Sequence, residues 1–297
     1  MKQHAGVEES IATGTAFVDL SSWRVVSVSG ADARTWLNDL VSADIGDLRP
    51  GHARRSLLLS PTGRIRAEFT VADRDGTLSL VQDPAQPRSI RELLSPYVLS
   101  SDVRLEDRAA ADGLVAFPGR PTAPAVPGSS PSAPSCTGAG VDLFFARADH
   151  DRVLSALTAT HTLSDAAAFE SWRVWAGIPR YGVDALDDDL PQEGGFEDAV
   201  AFEKGCYLGQ EAVAKVRNLG HPRRVLLHLE AMVPLRAGDD VEHAGERVGE
   251  ISSAAGGDGT WRALARVRWD RRQGSLQTAT GASLQVVRES KIEPSAR

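Results

Sequence analysis

The hydrophobic pattern of this chain changes character once, near His221, and that change limits the architecture more than any other feature. Beyond it, "RRVLLHLEA", "RVGEISSAA", "WRALARVRW" and "SLQVVRES" are short strand-like runs separated by Gly and Asp. Such runs predict a separate small β-barrel or sandwich of about 75 residues, taken as 221–297. Residues 1–220 mix strand and helix periods and form the other part. A chain of 297 residues is too long for one small core, so two or three subdomains are expected.

Within the first part, "RVVSVSG" reads as a strand ending in a glycine turn. In "ADARTWLNDLV", Ala33, Trp36, Leu37 and Leu40 fall at i, i+3, i+4 and i+7, one apolar helix face. Trp36 is therefore read as core. "SLLLSPTGRIRAEFTVA" gives two strands about a Pro61-Thr62-Gly63 turn, with Ile65, Ala67, Phe69 and Val71 on a buried face. "SDAAAFESWRVWAG" reads as a helix with Ser164 as N-cap and Gly177 as its stop. Arg173 sits on its apolar stripe beside Phe169 and Trp172. That placement allows a structural ion pair or an anion clamp.

The segment 117–140 carries Pro118, Pro121, Pro124, Pro127, Pro131 and Pro134 among Ser, Ala and Gly. So few large apolar groups predict a disordered surface loop, with Cys136 an incidental exposed cysteine.

A formal charge of −7 argues against non-specific nucleic-acid binding, which needs a basic surface. No window reaches the length of a membrane helix, and "MKQHAGVEESIATGT" lacks the apolar core of a leader. The expected location is cytoplasmic. Two cysteines imply no disulfide framework and no four-thiolate cluster site, and the scattered histidines predict no intrinsic metal site.

The densest chemistry is "FEKGCYLGQEAVAK", residues 202–215. From Gln210 the spacing is helical. Gly209 stands at the helix start, and Gly205 is read as letting the backbone turn before it. Cys206 then lies near a helix N-terminus, two residues from Lys204. Dipole and ammonium both favour a thiolate there, and the same features suit an anion. A buried cysteine in a strand–turn–helix remains the plain alternative.

"KGCYLGQE" resembles the signature of the YgfZ family, folate-binding proteins related to the T-protein (aminomethyltransferase) of the glycine cleavage system. "WRVWAGIPRYGVD" resembles the family's R-x-x-x-G-x-P-x-x-G-x-D segment through Arg173, Gly177, Pro179, Gly182 and Asp184. "LPQEGG" is similar to the P-x-E that follows, and "VSGADARTWLNDLVSADI" to the N-terminal unit. The resemblance spans nearly the whole chain outside 117–140, which looks like an insertion.

The resemblance implies an α+β fold: a three-subdomain cloverleaf of T-protein type, with a central tetrahydrofolate cavity and a C-terminal β-barrel. Residues 1–220 would form two interleaved α+β subdomains. It implies an accessory protein for the assembly or repair of iron–sulfur enzymes, tRNA-modifying ones included. Cys206 would be the functional thiol, with Lys204. Glu193, Lys204, Tyr207, Gln210, Glu211 and Arg173 would attend the cofactor. One thiolate cannot hold a cluster alone, so an iron–sulfur client or assembly protein is implied as partner. If the chain is an enzyme, the implied reaction is tetrahydrofolate-dependent aminomethyl (one-carbon) transfer. Two departures weigh against it. Ala67 and Glu68 replace the T-protein's acid pair in "GRIRAE", and Gly138 of "TGAG" stands where a pterin-holding glutamate is expected.

Overall fold

The computed structural model describes residues 9–257 and 259–289. Residues 1–8, the start of the stretch read above as no leader, lie outside the described residues, as does the 290–297 end of the barrel segment. Two five-stranded sheets and a closed six-stranded barrel carry the fold. The first sheet runs Thr162–Ser164, Ala16–Asp19, Asp112–Phe117, Val141–Ala146, Ser129–Ser132, antiparallel except for its first pair. The second runs Ala53–Leu59, Ile65–Arg74, Thr77–Gln82, Arg24–Ser29, Arg104–Asp107, antiparallel throughout. The chain leaves the first sheet after one strand, builds the whole second sheet, and returns. The two are therefore interleaved.

Strand alternation decides what each face meets. Val18, Leu114, Ala116 and Phe144 of the first sheet share a core with Ala53, Ala72 and Val81 of the second. Phe17, Val115, Leu143 and Phe145 turn the other way, onto Val153 and Leu157 of helix His150–Thr158. On the far face of the second sheet, Ala33 and Leu37 of helix Ala33–Leu40 join Val26, Val28, Phe69 and Val71. Trp36 packs against that cluster and donates to the Tyr97 carbonyl at 3.0 Å, as a core residue with a polar handle should.

The barrel begins at Arg224, close to the change of pattern near His221. Val225, Leu227 and Leu229 point inward, so Leu226 and His228 face the rest of the molecule. A bulge between Ile251 and Ser253 breaks the alternation. As a result the hydroxyls of both Ser252 and Ser253 reach Asp184, at 2.5 and 2.7 Å.

Two expectations fail. Segment 117–140 is not a disordered loop. Ser129–Ser132 forms an edge strand on Val141–Ala146, where a proline costs no ladder bond on the open side. Ala133 exchanges backbone hydrogen bonds with Ala53 and Gly51 (2.7 and 3.1 Å), and Cys136 is buried. Composition undercounts such a segment because its order comes from backbone pairing rather than side-chain burial. The helix Ala166–Ala176 is capped by Asp165, which accepts from Ala168 N at 2.8 Å; Ser164 ends the preceding strand. Gly177 does end the helix, at φ +67°.

Candidate functional site

A cavity of about 340 Å³ lies where both sheets meet helix Ala166–Ala176 and the loop after it. Trp23, Phe69, Phe169 and Ile178 supply apolar wall. Cys136 and Thr137 put the end of the proline-rich segment into the lining. Size and lining match those of small-molecule sites, which favour junctions of subdomains.

Its polar groups form two systems. Arg55 and Glu68 stand on adjacent strands, Nε to Oε1 at 2.7 Å, and Arg55 Nη2 also donates to the Pro179 carbonyl at 2.8 Å. The Gln86 carboxamide pairs with the Glu68 backbone like one more strand residue (3.1 and 2.8 Å). The second system runs Asp83, Arg180, Glu170, Arg173, Asp184, with contacts of 2.7, 3.4, 2.5 and 2.7 Å. It ends on Ser252 and Ser253, so it joins the second sheet to the barrel. At the rim Asp19 feels burial, which raises its pKa, but hydrogen bonds from Ser21 and His150 prevail and hold it below the ordinary range.

Arg173 lines this cavity but is not free to clamp an anion. Its five donors meet Glu170 twice, Asp184, the Ile178 carbonyl and Ser253. The ion-pair alternative describes it. Side-chain exposure separates the remaining charges. Glu170 (39 %) and Arg180 (31 %) are open, whereas Glu68 (13 %), Arg55 (12 %) and Asp83 (10 %) are not.

The segment around Cys206 lies elsewhere and lines neither this cavity nor the one beside it. Cys206 is exposed, four residues before helix Gln210–Leu219. Lys204 is engaged by the backbone of another segment. Its ammonium donates to the carbonyls of Asn38, Val41 and Ala43 at 2.6, 2.7 and 2.8 Å, using all three protons at the C-terminal end of helix Ala33–Leu40. Burial pulls its pKa down to about 8, against the pull of Asp44 and Asp39. Tyr207 is core, its pKa pushed up to about 12 by burial, and its ring stands 5.1 Å from that ammonium.

The two glycines of the motif differ. Gly209 sits at φ +81°, and a Cβ there would come 2.3 Å from the Ser60 carbonyl. The Pro61-Thr62-Gly63 turn thus docks against the helix start. Gly205 has no such demand: its φ lies outside the left-handed range and a Cβ would meet nothing within 4 Å. The expectation that it is needed for a turn does not hold. Gln210 and Glu211 open the helix, Glu211 exposed. Glu193 does not line the central cavity. It is buried, accepting from Leu190 N and Arg223 N (3.0 Å each) and pairing with Arg64 at 3.2 Å.

A model of the GCVT N-terminal domain matches residues 3–125. A "tRNA-modifying protein YgfZ" of Photobacterium profundum is 24 % identical over 231 residues, 71 % of this chain and 68 % of its own. An aminomethyltransferase of Streptomyces avermitilis is 26 % identical over 283 residues, 83 % of this chain and 76 % of its own. The crystal structure of glycine cleavage system aminomethyltransferase T from Bartonella henselae superposes with a TM-score of 0.81 at 18 % identity, covering 95 % of this chain and 88 % of that one. Over most of its length the chain is thus similar to YgfZ-named and aminomethyltransferase-named proteins, and it has the fold of a glycine cleavage T-protein.

The contiguous motif around Cys206 and the cavity are thus separate places in this chain. Of the residues put forward from the sequence as catalytic or cofactor-binding, the structure brings only Arg173 to the cavity. Sequence reasoning missed Arg55, Asp83, Gln86, Glu170 and Arg180, whose spacing carries no motif. Glu68 had one signal: on a strand it must point opposite to Ala67, which is fully buried.

Proposed function

We propose that the central cavity binds a reduced folate, and that the exposed Cys206 segment meets an iron–sulfur client or assembly protein. The observation that carries this reading is the separation itself. An aromatic-walled cavity with exchangeable charges lies apart from a bare thiol whose neighbour Gly205 leaves it unshielded. Trp23 and Phe169 put aromatic rings in the lining, which suits a flat heterocycle. Glu170 and Arg180 are open enough to re-pair with a ligand, Glu170 with ring N–H donors and Arg180 with a tail carboxylate. In this reading the protein is an accessory factor for iron–sulfur enzymes, tRNA-modifying ones included, acting in the cytoplasm.

Calorimetry with tetrahydrofolate tests the first half: Arg180→Ala and Glu170→Gln should weaken binding about tenfold each. Failure of the wild type to bind tetrahydrofolate would sink it. Complementation of a strain lacking its own family member tests the second. Cys206→Ala should lose iron–sulfur enzyme activity with tetrahydrofolate affinity intact; retained activity rules out a thiol role.

A second reading, tetrahydrofolate-dependent aminomethyl transfer, is favoured by one observation: Glu68 lines the cavity although the leading acid is replaced by Ala67. Proton traffic needs such a group, but Arg55 already holds Glu68. Robust glycine cleavage with a lipoyl carrier protein would favour this reading over the first.

A further inference from the structure

Glu170, an open charge of the central cavity, is held from behind by the barrel. It lies in helix Ala166–Ala176, and its two oxygens accept from Arg173 Nη2 and Nε at 2.5 and 3.0 Å. Arg173 is itself buried, so the groups around it set its position. Its Nη1 donates to Asp184 Oδ2 at 2.7 Å, and Nη2 spends its second proton on Ser253 Oγ at 2.8 Å. One nitrogen therefore holds a cavity carboxylate on one side and a barrel hydroxyl on the other.

Asp184 completes the joint. It is fully buried, and its two oxygens serve different partners. Oδ2 accepts from the body of the molecule, from Arg173 and from Arg180 N at 3.0 Å. Oδ1 accepts from the barrel, from Ser252 and Ser253 at 2.5 and 2.7 Å. A regular strand would turn one of two consecutive hydroxyls away; the bulge between Ile251 and Ser253 brings both to Asp184. Bulges next to functional sites re-aim side chains in this way. Neither serine lines the central cavity. Ser253 is buried, and its one hydroxyl both accepts from Arg173 and donates to Asp184. Ser252 would still hold Asp184 if that hydroxyl were removed. Its removal thus loosens the aim of Arg173 without opening the joint.

We propose, on the reading that the central cavity binds a reduced folate through Glu170, that Ser253 is a positioning residue for that ligand. Through Arg173 it fixes the Glu170 carboxylate for the N–H donors of what is bound. The barrel thereby takes part in binding without touching the ligand. The path Glu170–Arg173–Ser253 is short and unbroken, two hydrogen bonds through one nitrogen.

Calorimetry with tetrahydrofolate on the full chain, in a double-mutant cycle of Ser253→Ala and Glu170→Gln, tests this. Ser253→Ala should weaken tetrahydrofolate roughly fivefold when Glu170 is present. In the Glu170→Gln background, where the carboxylate it aims is already gone, the loss should stay below about twofold. A hydroxyl with a merely structural role would cost the same in both. If Ser253→Ala does not fold, Ser253→Cys, close in size and only a weak hydrogen-bonding group, runs the same cycle. Unchanged affinity in the Ser253 variant, or equal losses in both backgrounds, overturns the inference and leaves the folate reading standing. Absence of tetrahydrofolate binding by the wild type overturns that reading and the inference with it.

Discussion

The central cavity and the Cys206 segment are opposite kinds of site. The cavity gathers residues between positions 18 and 180, from both sheets, a helix and loops, and its charges are tied to one another. The segment is contiguous, and its residues divide the work. Lys204, Tyr207 and Gly209 hold local structure, while Gly205, Cys206 and Glu211 face outward with no structural duty of that kind. A contiguous string of chemically interesting residues thus marks a backbone joint and a surface here, and the pocket arises where subdomains meet.

The comparison breaks first at Asp184, the buried end of the cavity's charge chain. Asp184→Ala strands Arg173 without its buried partner, and chemical denaturation should show a loss of about 3–5 kcal/mol. A loss under 1 kcal/mol would mean the chain of ion pairs does not join the barrel to the body.

Next comes the proline-rich wall. Asp142 is buried and accepts from Ser135 Oγ and Cys136 N, at 2.5 and 2.8 Å. Burial outweighs those bonds and raises its pKa from 3.8 to about 6. The folded state therefore holds this proton where the unfolded chain has released it. The stabilising contribution is complete below about pH 4 and lost as pH rises through about 6. Relative to Asp142→Asn, the wild type should lose roughly 2–3 kcal/mol across that window. Parallel stability–pH curves for the two proteins would refute the assignment.

Within the segment, Gly209→Ala should cost about 1–3 kcal/mol through its positive φ and the Ser60 contact. Gly205→Ala should stay within about 0.5 kcal/mol. Equal effects, read by thermal melting, would erase the division drawn between joint and surface. Smallest of all, Cys206→Ser should leave stability within about 0.5 kcal/mol and tetrahydrofolate affinity unchanged. A clear drop in affinity would tie the thiol to the cavity after all.

Periodicity made the second-sheet strands, helix Ala33–Leu40 and the barrel legible, because each buries a face within a few residues of chain. It failed at 117–140, where order comes from a partner strand, Val141–Ala146, that composition does not register. The motif reading set the Lys204 ammonium beside a thiolate or an anion, because nothing in "FEKGC" tells that the carbonyls of Asn38, Val41 and Ala43 lie in reach.

By itself, the sequence determined most of the elements, the separate barrel and a helix-start motif around Cys206. Only the tertiary structure decided that Arg173 is spent in ion pairs, that Glu68 and Glu170 share a cavity, and that Cys206 is exposed. The reason is range. Propensity and periodicity act over a few residues, whereas hydrogen-bond satisfaction and burial are fixed by groups that meet only after the sheets and barrel have packed.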